Sequence, residues 1–144
     1  MEQVQILLVE DNSSDAEMTI YALRKSKLVN HLLHLEDGAQ ALDFLFARGA
    51  FLGRNTEIKP AVILLDLKMP KLNGLEVLQA IKADERTRKI PVIILTSSKE
   101  DPDIRKAYDL GANSYVVKPV VFDDFQKAIS DLGYYWMFLN QQPG

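Results

Sequence analysis

Four short apolar runs, together with one weakly alternating stretch at 31–36, alternate along the chain with segments whose apolar residues recur at helical spacing. Parallel strands that are buried on both faces read as continuous apolar stretches, so each run is a predicted strand. A regular alternation of strands and helices favours a parallel sheet that is covered by helices on both faces. The pattern therefore predicts an α/β fold of five β/α units, with strands at residues 4–9, 31–36, 61–66, 92–95 and 114–117.

Glycine, proline and capping residues set the limits of the predicted helices. Ser14 and Glu17 have the spacing of a capping box, which predicts a first helix over about 14–27. Asp101 before Pro102 predicts the start of the fourth helix. The second helix is predicted from Gly38 to Gly49, and a long loop follows at 50–60. The third helix is predicted from Leu75 to about Asp84. The fourth helix is predicted to end before Gly111, and the fifth to begin at about Phe122.

The composition limits the classes of protein that the chain can belong to. With 144 residues, 47% of them hydrophobic and 26% charged, it is expected to form one domain over 1–144 with its core at about 4–132. The net charge of −3 and the lack of a long Lys/Arg block give no basis for binding nucleic acid or a membrane surface. No apolar stretch approaches the roughly 18 residues of a membrane span, and no signal peptide is visible. A cytoplasmic location is expected.

Charged and hydroxyl side chains follow the ends of four predicted strands. Glu10 and Asp11 follow the first strand, Asp66 ends the third, Thr96 follows the fourth and Lys118 follows the fifth. In an open parallel sheet these strand ends meet at one edge, where ligands bind. Three carboxylates held there would repel one another by roughly 4 kcal/mol per pair at ~4 Å with an effective dielectric near 20. The sequence therefore predicts a bound cation at this edge of the sheet.

The same residues stand in motifs that closely resemble the receiver domains of two-component response regulators. The resemblance covers about residues 4–132 and implies a flavodoxin-like doubly wound sheet with the strand order 2-1-3-4-5. The long loop at 50–60 and the aromatic C-terminal end are most similar to the stand-alone regulators that are paired with bacterial phytochromes. The motifs are ILLVEDN with Glu10 and Asp11, ILLDLKMPKLNG with Asp66, IILTSS with Thr96, and SYVVKP with Lys118.

The resemblance implies a phospho-accepting signalling protein rather than an enzyme with a separate substrate. Asp66 would accept a phosphoryl group from the phosphohistidine of a sensor histidine kinase, with a bacterial phytochrome as the expected kinase. Asp11, Asp66 and the backbone carbonyl of Lys68 would bind Mg²⁺, and Glu10 would assist through water. The protein would then catalyse only its own phosphorylation and the slow hydrolysis of its acyl phosphate.

The resemblance also implies how phosphorylation would change the conformation of the protein. Thr96 and Lys118 would supply a donor and a cation to its oxygens. The movement of Thr96 would leave a space into which Tyr115 turns, so that the signal reaches the face formed by the fourth helix, the fifth strand and the fifth helix. Lys68 is expected either to affect the lifetime of the acyl phosphate or to be a solvated loop lysine. The two histidines are expected to be structural or surface residues.

The C-terminal segment carries more apolar and aromatic residues than one helix face can bury. Residues 133–144 are therefore predicted to form an aromatic helical extension that contacts a partner. A homodimer is expected to form through Tyr135, Trp136 and Phe138, together with the face of the fourth helix, the fifth strand and the fifth helix. No output domain is expected after about Leu132.

Other functions remain open alongside the phosphorylated switch. A phosphorelay intermediate that passes its phosphate to a histidine phosphotransfer protein would carry the same residues. A pseudo-receiver that only binds proteins would share the fold, but every phosphorylation residue is present. A flavodoxin-like cofactor module is disfavoured because Glu10 and Asp11 would repel a flavin phosphate. A Mg²⁺-dependent aspartyl phosphatase is disfavoured because Lys68 occupies the place of its usual second aspartate.

Overall fold

The computed structural model of the protein describes residues 4–25 and 31–132, and within them five parallel strands alternate with five α-helices. The strands lie in the order β2-β1-β3-β4-β5, which confirms the predicted topology. The strands are β1 (Ile6–Val9), β2 (Leu32–Leu35), β3 (Val62–Asp66), β4 (Val92–Thr96) and β5 (Ser114–Val117). The helices are α1 (Ser13–Arg24), α2 (Gly38–Phe46), α3 (Gly74–Ala83), α4 (Asp103–Asp109) and α5 (Phe122–Asp131), with a 3-10 turn at Gly49–Phe51.

The side chains of the central strands alternate between two separate hydrophobic cores. Along β3, Val62 and Leu64 point into the core beneath α1 and α5, whereas Ile63 and Leu65 point into the core beneath α2, α3 and α4. All residues of β1, β3 and β4 are buried. Burial of one such aliphatic side chain is worth about 1.5–3 kcal/mol. The central strands are therefore rigid supports for the residues at their carboxyl ends.

The start of α1 differs from the sequence prediction. The cap is Asn12, whose side-chain oxygen accepts the N–H of Asp15 at 2.9 Å, and the predicted capping box at Ser14 and Glu17 is wrong. The turn after Glu10 is short, so the helix begins two residues beyond Asp11 and Ser14 already lies inside it. A capping box does occur at the start of α3, where the side chains of Asn73 and Glu76 each accept the other residue's backbone N–H at 3.0 and 3.1 Å.

The connection between α2 and β3 is long, as predicted, but it is packed against α2. Arg54 stacks over the ring of Phe44 at 3.9 Å and donates to the backbone carbonyls of Phe44, at 3.0 Å, and of Ile58. The ring of Phe51 meets that of Phe44 edge to face, with 5.2 Å between centroids. The guanidinium group of Arg54 and the ring of Phe51 therefore both join this loop to α2.

Two further sequence predictions concern membrane spans and the C-terminal end. No helix in residues 4–25 and 31–132 is long and apolar enough to cross a membrane. The predicted aromatic extension at 133–144, with Tyr135, Trp136 and Phe138, lies outside the described residues.

Candidate functional site

The carboxyl ends of the parallel strands bring the predicted site residues to one edge of the sheet. Glu10 directly follows β1, and Asp66 is the last residue of β3. Thr96 is the last residue of β4, paired in register with Val117 of β5, so Lys118 comes one residue beyond that pair. Asp66 and Thr96 are 2% and 1% exposed, which means that the supporting strands, rather than solvent, surround them.

Three carboxylates form a compact cluster at this edge. Oxygen atoms of Glu10, Asp11 and Asp66 all lie within 4.8 Å of one another. Glu10 and Asp66 are buried, whereas Asp11 is exposed. Mg²⁺ prefers hard oxygen ligands and retains several of its waters, so a site with two inner carboxylates and one at the solvent boundary fits this ion. The donor set can therefore hold a divalent cation.

Without a cation, Glu10 is partly neutralised by a proton. Burial raises the pKa of Glu10 to about 8, and its hydrogen bond to Asp66 and the charge of Asp66 act in the same direction, against the lowering effect of Lys118. Its second oxygen accepts the N–H of Asn12 at 3.2 Å. Below about pH 8 a metal ion at this edge must therefore compete with a proton for the Glu10 carboxylate.

Lys118 is the cation that the protein itself supplies to the cluster. Its Nζ lies 3.1 Å from Glu10 Oε1, 3.0 Å from Asp15 Oδ2 and 3.5 Å from Asp66 Oδ2. Burial lowers the pKa of Lys118, but the hydrogen bond to Asp15 and the charge of Asp66 outweigh it and raise the pKa above its usual value. Lys118 therefore stays charged, and one ammonium group contacts acidic residues from the turn after β1, from α1 and from β3.

Asp15 and His34 belong to the site, although neither is predicted from the sequence as a site residue. Asp15 stands in the first turn of α1, and a helix that begins just beyond the end of β1 presents that turn to the sheet edge. His34 on β2 donates from Nε2 to the backbone carbonyl of Glu10 at 2.8 Å. His34 is therefore structural, as predicted, but the structure it supports is the backbone of a predicted metal ligand. Spacing along the chain could have suggested Asp15, whereas the contact of His34 depends on the pairing of β1 with β2.

The backbone and the side chain of Lys68 point to different places. Its N–H donates to Asp66 Oδ1 at 3.1 Å, so the chain turns tightly after β3. Its Nζ lies 3.0 Å from Asp103 Oδ2 and 3.9 Å from Asp101 Oδ2, at the start of α4. The hydrogen bond to Asp103 raises the pKa of Lys68. The side chain is exposed, as expected for a solvated loop lysine, and it is also paired with α4. An effect of Lys68 on the lifetime of an acyl phosphate stays a prediction. The role of its carbonyl as a metal ligand stays a prediction.

The Thr96 hydroxyl is held by the segment that joins β4 to α4. Its Oγ1 lies 3.1 Å from the carbonyl oxygen of Ser98 and 3.2 Å from Asp101 Oδ2. A hydroxyl has one proton to donate, so these two acceptors compete for it. Tyr115, the predicted partner of Thr96 in the switch, is half-buried on β5 and meets the ring of Tyr108 edge to face, with 6.4 Å between centroids.

Comparison with known proteins gives a consistent family. The model of the response regulator receiver domain matches residues 6–130. The chain is 41% identical over 139 residues to the probable methanogenesis regulatory protein FilR2 of Methanothrix harundinacea (strain 6Ac), covering 96% of this chain and 87% of that protein. It is 35% identical over 132 residues to the response regulator Rcp1 of Synechocystis sp. (strain ATCC 27184 / PCC 6803 / Kazusa), covering 92% of this chain and 88% of that protein.

Two solved structures show the same similarity in three dimensions. The bacteriophytochrome response regulator RtBRR superposes with a TM-score of 0.87 at 55% identity, covering 99% of this chain and 85% of that one. The Mn²⁺-bound form of Rcp1 superposes with a TM-score of 0.74 at 33% identity, covering 99% of this chain and 98% of that one. The predicted likeness to regulators of bacterial phytochromes is therefore confirmed among the structural neighbours.

Proposed function

The chain belongs to the response regulator receiver family of two-component signalling, and from that premise we propose that Asp66 is its phosphoacceptor. A carboxylate oxygen of Asp66 would attack the phosphorus of a kinase phosphohistidine, forming an O–P bond as the P–N bond breaks, and the imidazole that leaves would take a proton from solvent. The observation that carries the proposal is the position of Asp66. It is buried at the end of β3, within 4.8 Å of two other carboxylates and 3.5 Å from the Lys118 ammonium.

The acidic cluster supports Mg²⁺ as the cofactor of this transfer. Asp11, Asp66 and the Lys68 carbonyl would hold the ion directly, with Glu10 assisting through water. When bound, the ion would offset the repulsion of the carboxylates and part of the charge on the phosphoryl oxygens. A related protein, Rcp1, has been solved in a Mn²⁺-bound form, which supports a divalent cation in this family.

Lys118 and Thr96 would stabilise the phosphoryl group once it is on Asp66. Phosphoryl transfer depends mainly on positioning and on charge stabilisation, so a fixed cation and a hydroxyl donor supply most of what the chain must add. Lys118 is already 3.5 Å from Asp66 and is held there by its contacts with Glu10 and Asp15. Thr96 is buried next to Asp66 on the adjacent strand and would have to leave its present acceptors to reach the group.

An apolar groove beside Lys118 supports docking of the phosphodonor protein there. The groove has a volume of about 440 Å³ and lies between α1 and the segment that joins β5 to α5. Its lining includes Met18, Tyr21 and Val121, which are 49%, 67% and 48% exposed and are therefore unusually open for large apolar side chains. A kinase that rests on this groove would present its phosphohistidine to the sheet edge. Because RtBRR is a bacteriophytochrome response regulator, we propose a bacterial phytochrome as the kinase.

The output is proposed to run through the face of α4, β5 and α5. This face contains a cavity of about 330 Å³ that is lined by Tyr108, Tyr115 and Lys127 among others. A rotation of Tyr115 away from Tyr108 would change the shape of that cavity. We propose that the changed face then forms a homodimer, to which Tyr135, Trp136 and Phe138 also contribute.

Phosphorylation of paired variants tests the proposed acceptor. Purified protein is labelled by a small phosphodonor with Mg²⁺ or with a chelator, and by a cognate histidine kinase. Asp66→Asn should abolish labelling while the protein stays folded, because the amide keeps the shape of the side chain but is not a nucleophile. Asp109→Asn, at the exposed end of α4, is the matched control and should be labelled like the wild type. Wild-type stoichiometry in Asp66→Asn would show that another residue is the acceptor.

A further inference from the structure

Asp101 makes a contact with Thr96 that the proposed function does not use. Its Oδ2 lies 3.2 Å from Thr96 Oγ1, and its side chain is only 7% exposed. Thr96 itself is 1% exposed, so a water molecule cannot readily take the place of either partner in this hydrogen bond. A hydrogen bond to a carboxylate is stronger than one to a neutral carbonyl, which makes Asp101 a stronger acceptor for this hydroxyl than the backbone of Ser98.

The same carboxylate joins three parts of the structure. Oδ2 meets Thr96 at the end of β4, and Oδ1 accepts the N–H of Asp103 in the first turn of α4 at 2.9 Å. Oδ2 also lies 3.9 Å from Nζ of Lys68, which follows Asp66 by two residues. Asp101 is therefore positioned to link the state of Asp66, the position of Thr96 and the start of α4.

From these contacts we propose that Asp101 is a positioning residue that holds Thr96 in the resting state. A phosphoryl group on Asp66 must compete with the Asp101 carboxylate for the Thr96 hydroxyl before the segment between β4 and α4 can rearrange. The proposal rests on the proposed role of Asp66 as phosphoacceptor. We call the contact between Asp101 and Thr96 the resting-state lock. Breaking it would use part of the binding free energy of the phosphoryl group.

The charges around Asp101 indicate how the structure would respond to the release of Thr96. Once the hydroxyl leaves, Oδ2 is a buried charged oxygen that has lost a donor, and such an oxygen is costly unless another donor or a cation takes its place. Lys68 is the nearest described cation, at 3.9 Å, and it is at present bound to Asp103 at 3.0 Å. A shift of Lys68 from Asp103 to Asp101 would compensate Oδ2 and remove one of the ion pairs that hold the first turn of α4.

A simpler role for Asp101 is that it only caps α4. The variant Asp101→Asn separates the two roles, because its amide oxygen can still accept the Asp103 N–H while the charged acceptor of Thr96 is gone. Asp101→Ala removes both contacts. A capping role predicts a loss of stability in Asp101→Ala and no change of any kind in Asp101→Asn, whereas the lock predicts that both variants respond more readily to a phosphoryl group.

Binding of beryllium trifluoride, an analogue of a phosphoryl group on a carboxylate, is measured by calorimetry in the presence of Mg²⁺. Asp101→Asn and Asp101→Ala should both bind it about tenfold more tightly than the wild type, which corresponds to ~1.4 kcal/mol and is the scale of a hydrogen bond to a charged group. Asp109→Asn, the matched change at the other end of α4, should bind like the wild type. In a Thr96→Val background, which keeps the shape of the side chain but lacks the hydroxyl, Asp101→Asn should no longer have an effect.

The outcomes distinguish a failure of the lock at Asp101 from a failure of the proposed role of Asp66. Wild-type protein that fails to bind the analogue with Mg²⁺ would overturn the role of Asp66, and the lock with it. A wild type that binds, together with an Asp101→Asn variant of unchanged affinity, would overturn the lock alone. The same gain from Asp101→Asn with and without the Thr96 hydroxyl would also overturn it, because the effect would then not pass through Thr96.

Discussion

The first residue of α3, Gly74, lies directly against the backbone of Asp66: a Cβ atom on Gly74 would be 2.4 Å from the Asp66 carbonyl oxygen and 2.6 Å from Cα of Leu67. Backbone atoms cannot move aside as the end of a flexible side chain can. The N–H of Gly74 also donates to the Leu67 carbonyl at 3.1 Å. The absence of a side chain at Gly74 therefore allows α3 to hold the turn that follows the proposed acceptor.

Replacement of Gly74 by alanine should displace the end of β3 or the start of α3. Overpacking of this kind costs about 1–3 kcal/mol of folding free energy. We expect Mg²⁺-dependent phosphorylation of the folded variant to be slowed as well, because Asp66 itself would move. Gly53→Ala is the control, since Gly53 has a positive φ of 93° but nothing within 4 Å of an added Cβ, so it introduces backbone strain without a clash. Urea unfolding and initial labelling rates give the two readouts, and normal labelling in Gly74→Ala would contradict the argument.

Stability without metal should fall as pH rises, because of Glu10. The pKa of Glu10 is raised to about 8 from an ordinary value of 4.5, so the folded protein holds a proton that the unfolded chain releases between these values. The free energy of unfolding should therefore decrease from pH 5 to pH 8 by an amount of the order of a few kcal/mol. Mg²⁺ binds the carboxylate form, so the stabilisation that it gives should increase over the same range.

Denaturant titrations in chelator at pH 5, 6, 7 and 8 check this dependence. Other groups also titrate in this range, and the comparison with Glu10→Gln isolates the contribution of Glu10. The variant replaces the carboxyl group beside Lys118 by an amide and is expected to differ in absolute stability, so the slope with pH is the readout. Equal slopes for wild type and Glu10→Gln would show that Glu10 is ionised in the metal-free fold.

The pattern of apolar residues is sufficient to predict the five strands and the residues at the carboxyl edge, whereas the strand order follows only from the resemblance to receiver domains. Buried parallel strands leave long apolar runs, and the chemistry at their ends is local to each run, so Asp66 and Lys118 could be placed without knowledge of tertiary contacts. The limits of the elements differ from the prediction. The predicted first strand included Val4 and Gln5, but β1 begins at Ile6, where the register with Leu32 and Val62 begins.

The contacts that connect the site to the rest of the fold could not be predicted in this way. The sequence predicts Asp101 only as a helix cap, because its contact with Thr96 depends on the path of the chain between β4 and α4. His34 is distant in sequence from Glu10, and only the pairing of β1 with β2 makes them neighbours. Spacing along a chain shows which residues share an element, but not which side chains meet across two elements.

Removal of the Lys118 charge should strengthen metal binding while it weakens phosphorylation. The ammonium group competes with Mg²⁺ for Glu10 and Asp66, and a unit charge at this range is worth about 4 kcal/mol at an effective dielectric near 20. Screening and protonation of Glu10 will reduce the effect, and we expect Lys118→Met to bind Mg²⁺ at least about tenfold more tightly. Calorimetry measures the affinity, and Lys106→Met, on the exposed side of α4, is the control. Unchanged Mg²⁺ affinity in Lys118→Met would mean that the ammonium and the ion occupy separate parts of the site.

The groove between α1 and the segment after β5 predicts a variant that distinguishes a protein phosphodonor from a small one. Tyr21 is 67% exposed and lines the groove, so Tyr21→Asp should leave the fold and the acceptor intact but place a charge where the kinase would bury an apolar surface. Transfer from the cognate kinase should slow at least about tenfold, as expected for a contact worth more than ~1.4 kcal/mol, whereas labelling by a small phosphodonor should be unchanged. Leu52→Asp is the matched control, because Leu52 is 81% exposed but lies after α2, on the other side of the sheet. Equal transfer rates from the kinase to Tyr21→Asp and to Leu52→Asp would show that the kinase does not dock on this groove. Slower phosphorylation of Tyr21→Asp by both donors would mean that Tyr21 supports the acceptor site itself.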